Sequence, residues 1–161
     1  LKAVALSDLV TIQQKTGIGR LSAYCGAISA GCGAGAGIAY LQGGDFRTVA
    51  HTVVNAVAIL SGTICDGAKP SCAAKIAAAV DAGILGYHMF LEEQQFYGGD
   101  GIVTKGVDKT VYNVGRLARE GMRQTDRTIL EIMLSNEIDF RIYTGDIPEK
   151  SQIVCIKYEV S

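Results

Sequence analysis

Two short segments place thiols among residues too small to shield them. Gly62-Thr63-Ile64-Cys65-Asp66-Gly67-Ala68-Lys69-Pro70-Ser71-Cys72 gathers two thiols, a carboxylate and an ammonium, and Ser22-Ala23-Tyr24-Cys25-Gly26-Ala27 sets another thiol at the head of a glycine- and alanine-rich run. Neighbours this small let the backbone come close to a metal cluster, a small substrate or another helix. Cys65 lies in a glycine-flanked loop just ahead of a helix, whose free amides favour a thiolate or an anion. Lys69 precedes Pro70 and is therefore biased towards extended geometry at the mouth of that helix. Lys69 and Asp66 could bind the two ends of an amino acid, exchange a proton with it, or simply form a loop ion pair.

Other constellations carry less. Cys25 and Cys32 fall on one face of a helix but about 10 Å apart along it, too far to share one zinc, and no C-x-x-C occurs. Five cysteines without secretory features point to reduced thiols or metal ligands rather than disulfides. Each cysteine taken alone also reads as a small buried apolar residue. His51 and His88 stand isolated and read as structural histidines. Gly33-Ala34-Gly35-Ala36-Gly37 matches a nucleotide loop only in composition, since no strand precedes it.

The elements that must position these groups are mostly helical. The chain has 161 residues, 48% of them apolar, enough for one domain with a real core. A net charge of −1 with no basic block excludes a nucleic-acid surface. The absence of a secretory pattern implies a cytoplasmic protein, and a first residue Leu1 reads as the start of a processed product or a piece. Apolar periodicity predicts helices over about Lys2–Gln14, Ser22–Gln42 with Ser22 as cap, Arg47–Leu60 and Ser71–Leu91. Two more charged, peripheral helices fit Val107–Glu120 and Thr125–Leu134. Gly26, Ala30, Gly33 and Gly37, with Gly31 and Gly35, leave one side of the second helix nearly bare, so a neighbour can approach closely. That uncharged helix is long enough to raise the membrane question, but its Gly, Ala and Ser content and lack of anchoring flanks favour a buried core helix. Phe140-Arg141-Ile142-Tyr143 and Ile153–Val160 alternate and flank a turn-like Thr144–Lys150, so a C-terminal β-hairpin is expected. The fold expected is thus mainly all-α, with a helical domain over residues 1–136 and a β-rich tail of unassigned role over 137–161.

Several of these segments together resemble the L-cysteine desulfidase family, iron–sulfur enzymes related to the bacterial iron–sulfur L-serine dehydratases. The resemblance is carried by Gly19-Arg20-Leu21-Ser22-Ala23-Tyr24-Cys25-Gly26, by the run to Tyr40-Leu41-Gln42-Gly43-Gly44, by Ile64–Lys75 around Cys65, and by Glu120–Met133. It covers roughly Leu6 to Leu134, and the Cys65 motif is its most specific part. It implies a 4Fe–4S cluster held by three cysteines with one iron open to substrate, two of them corresponding to Cys25 and Cys65. The third belongs to a Cys-Thr-Glu-Pro motif of an N-terminal region that this sequence lacks, so the chain resembles the C-terminal part of a longer lyase. The implied reaction needs no pyridoxal phosphate: L-cysteine or L-serine loses its β-group as sulfide or water and gives pyruvate and ammonia. Lys69 and Asp66 are then the candidates for substrate carboxylate binding or proton transfer. Cluster ligation also implies that the two sulfurs lie within roughly 6–7 Å, given metal–thiolate bonds of about 2.3 Å. Cys32, Cys72 and Cys155 are expected elsewhere. The competing expectation is a non-catalytic helical module that packs against its own N-terminal region or another copy, without membrane or nucleic acid.

Overall fold

The computed structural model describes residues 1–20 and 22–143 of the chain. Six α-helices follow in order: α1 (Lys2–Ile18), α2 (Gly26–Leu41), α3 (Phe46–Leu60), α4 (Ser71–Leu91), α5 (Val107–Arg116) and α6 (Arg123–Tyr143), with one π turn, Leu117–Gly121, between the last two.

Helix α2 is the centre, packed by α1, α3 and α4. Its glycines explain why. A Cβ on Gly31 would stand 2.4 Å from the Ala79 backbone of α4, and one on Gly35 would stand 2.7 Å from Gly83 Cα. On the other flank, a Cβ on Gly33 would stand 2.5 Å from the Ser7 carbonyl of α1. Missing side chains thus let two neighbours reach the α2 backbone, and the apolar core of Ile18, Tyr24, Ile28, Val53, Val57 and Val114 closes around that contact. Such close approach replaces side-chain area with dense backbone packing.

Local signals set the ends. Asp45 caps α3 by accepting from the Thr48 amide at 2.9 Å, and that bond holds its carboxyl below the usual range. The cap of α2 is Cys25 rather than Ser22. Ser22 instead accepts from the Tyr24 amide and donates to the Ala118 carbonyl in the π turn at 2.8 Å, fastening the Cys25 segment to the C-terminal helices. Among the described residues one helix, α4, is long and apolar enough to cross a membrane; its Ala79, Gly83 and Gly86 face is the one packed against α2 and α3.

The expected C-terminal β-hairpin is corrected here. Phe140–Tyr143, its first arm, is the last turn of α6, and no strand occurs among the described residues. The physical reason is continuity. No Gly or Pro interrupts residues 123–143, so the helix begun at Arg123 adds one hydrogen bond per residue until the chain nears Gly145. Four alternating residues carry too little information to oppose that propagation. The second arm, Ile153–Val160, lies outside the described residues. The expected pair of peripheral helices is also redrawn, the first ending at Arg116 in the π turn and the second running on to Tyr143.

Candidate functional site

The cysteine segments meet through the backbone. Tyr24 and Ile64 form an isolated antiparallel bridge, in which the Cys25 amide donates to the Thr63 carbonyl at 3.2 Å and the Cys65 amide donates to the Ala23 carbonyl at 2.6 Å. Alternation along such a ribbon puts Ala23, Cys25, Thr63 and Cys65 on one face and Tyr24 and Ile64 on the other. Cys25 and Cys65 are diagonal neighbours on that face, a relation that sets backbones roughly 7–8 Å apart with side chains closer. Cys25 is buried and Cys65 half-buried against the core, and both are free thiols.

The loop around Cys65 is organised by charge. Asp66 accepts hydrogen bonds from Lys69 and, at 2.7 Å, from Lys75 in the second turn of α4. These two bonds, Lys69 first, hold the Asp66 carboxyl down at about 2. Lys75 also donates to the Ile64 carbonyl at 2.9 Å, and its own pKa is raised, chiefly by Asp66 and in smaller part by the nearby Cys25 and Cys72. One ammonium therefore ties the α4 start to the bridge, near Cys25 and Cys72. Cys72, expected elsewhere, instead stands at the same loop, its thiol donating to the Gly67 carbonyl at 3.4 Å, and Cys155 lies outside the described residues. Gly67 has φ 94°, which favours glycine, and Met133 of α6 covers it.

The expected residues thus fall into one neighbourhood: Cys25 and Cys65 on the ribbon, Asp66 and Lys69 in the adjoining loop. Lys75 escaped the sequence reading. Its signal was being the lone cation in the apolar stretch 71–80, one turn inside the helix that follows the cysteine loop. Cys32 lies apart, fully buried, with burial pushing its thiol up to about 12. His51 also lies elsewhere, stacked on Phe90 with ring centroids 4.9 Å apart.

As a cluster site the donor set is partial. Cys25 caps the amino end of α2 and the Lys75 ammonium stands close to it. Among the described residues, no three His, Cys, Asp or Glu side chains are grouped to hold a metal ion.

Residues 1–131 match the family model described as serine dehydratase alpha chain. The chain belongs to that family. This serine dehydratase alpha chain member is 64% identical over 134 residues to a UPF0597 protein of Desulfitobacterium hafniense (strain Y51), covering 83% of the chain and 31% of that protein. A UPF0597 protein of Lachnoclostridium phytofermentans is 53% identical over 135 residues, covering 84% of the chain and 32% of that protein. One from Treponema denticola is 46% identical over 136 residues, with 84% and 32% covered. The chain spans about a third of the length of these curated relatives. No solved structure matches.

Proposed function

We propose that this family member is the cluster-bearing part of a pyridoxal-phosphate-independent lyase that removes the β-group of L-cysteine or L-serine to give pyruvate and ammonia. The observation that carries the reading is the Tyr24–Ile64 bridge, which sets Cys25 and Cys65 on one ribbon face. Cys25 and Cys65 would be two of three thiolate ligands to a 4Fe–4S cluster, and the third would come from the part of the relatives' length beyond this chain. When bound, the cluster supplies an open iron as Lewis acid for the leaving β-group.

The chain's own residues do the rest of the work assigned to them. Lys69, more exposed than its partners, binds the substrate carboxylate at the mouth of the loop. Asp66, held ionised by two lysines, is a weak base and orients Lys69 and Lys75 rather than taking the α-proton. Lys75 keeps the bridge and the thiols electropositive.

The test is product formation by a polypeptide carrying this chain within the length its relatives have, reconstituted anaerobically with iron and sulfide. Pyruvate should appear from L-cysteine or L-serine, and Lys69→Ala should raise KM about tenfold or more, the cost of one charge-assisted contact. No pyruvate from either amino acid by the reconstituted wild type would exclude the lyase reading.

A further inference from the structure

The stretch from α5 to α6 touches both cysteine segments without belonging to either. It is rooted in the core by Val111, Val114 and Ala118, each 6% exposed or less. At the π turn the Met122 amide donates to the Leu117 carbonyl at 3.0 Å, and α6 follows. Among the described residues no helix other than this π turn packs against α6.

Two contacts reach from this arm to the cysteine ribbon. The Ser22 hydroxyl donates to the Ala118 carbonyl at 2.8 Å and accepts from the Tyr24 amide at 3.0 Å, one residue before Cys25. The Met133 methyl of α6 lies over Gly67, where an added Cβ would stand 3.2 Å from it. Gly67 follows Cys65 and Asp66 directly, and its carbonyl accepts from the Cys72 thiol. The ribbon between the two contacts is thin. Two backbone bonds, Cys25 to Thr63 and Cys65 to Ala23, join its strands, and a two-stranded piece alone is marginal in water. Lys75 secures the Ile64 side of the bridge, and Ser22 is the matching tie on the Tyr24 side. A π turn gives up regular helix geometry and is frequent at functional sites; here it presents the Ala118 carbonyl to Ser22.

We infer that the C-terminal arm is a clasp on the cysteine ribbon, with Ser22 the positioning residue for Cys25 and Met133 that for the Cys65 loop. A cluster shared by the two thiols requires them at one spacing, which the clasp maintains. That consequence rests on the lyase reading. The clasp itself does not, and it is measured without metal, so failure of either is seen separately.

Peptide-resolved alkylation of the metal-free, reduced 161-residue chain with iodoacetamide tests it. Cys32, fully buried inside α2, reacts only when the body opens, so it reports global stability in the same sample. Ser22→Ala removes both hydroxyl bonds and should speed Cys25 about fivefold or more, the weight of about one hydrogen bond, with Cys32 unchanged. Ser22→Thr keeps the hydroxyl and should return Cys25 to the wild-type rate. Met133→Ala should speed Cys65 and Cys72 several-fold and leave Cys25 and Cys32 unchanged. Equal acceleration of Cys25 and Cys32 in Ser22→Ala would mean a loss of global stability alone and overturn the inference. So would an unchanged Cys25, no restoration by Ser22→Thr, or no effect of Met133→Ala on Cys65 and Cys72. If Ser22→Ala does not fold, Met133→Ala decides, because Met133 is 42% exposed and the body does not depend on it. Wild-type rates at Cys65 and Cys72 in that variant contradict the clasp.

Discussion

Asp66 receives hydrogen bonds from Lys69 and Lys75, and this double clamp makes the cysteine loop respond to acid in a definite direction. The folded carboxyl sits at about 2, below the roughly 3.9 of an unfolded aspartate. The folded state therefore binds fewer protons in that window, so the stabilisation is complete above about pH 4 and is lost as pH falls towards 2. Asp66→Asn should be less stable than wild type at neutral pH, and urea unfolding midpoints of the two should converge as pH drops below about 4. A gap that stays constant with pH would mean that the clamp contributes nothing. The Asp66–Lys69 pair was legible in the sequence because only two residues of one loop separate them. Lys75 was not, because its reach to Ile64 and Asp66 depends on how α4 rises from the loop. The Cys25–Cys65 relation was expected from the family resemblance alone; no spacing rule predicts a bridge between segments so far apart in the chain.

Among the helices, α2 shows sequence and packing in closest agreement. Its glycine spacing predicted one bare face, and the structure shows two, Gly31 and Gly35 against α4 and Gly33 and Gly37 against α1 on the other flank. Gly31→Ala would push a methyl carbon to 2.4 Å from the Ala79 backbone, which cannot swing away as a side chain does. It should cost about 1–3 kcal/mol in urea unfolding, the range for overpacking. Gly62→Ala, which meets nothing within 4 Å, should stay within about 0.5 kcal/mol of wild type. Equal effects from the two would show that α2 and α4 are not in backbone contact. At α6 the reading failed for the opposite reason. Phe140-Arg141-Ile142-Tyr143 fits a strand and a helix equally well by period, and length decides between them. The unbroken run from Arg123 was the signal to weigh.

At the scale of the whole molecule, the helical body and its central helix were legible because composition and apolar period repeat over long stretches. About a third of the relatives' length is represented here, and within it the Tyr24–Ile64 bridge joins the Cys25 and Cys65 segments. The central claim is that Cys25 and Cys65 ligate one cluster together. Anaerobic reconstitution with iron and sulfide, read by visible absorption and bound iron, tests it most directly in a polypeptide of the relatives' length carrying this chain. Wild type and Cys32→Ser should turn brown and bind equal iron, while Cys25→Ser and Cys65→Ser should each lose most of both. A wild type that stays colourless, or ligand variants that keep the full iron and absorption, would contradict the account.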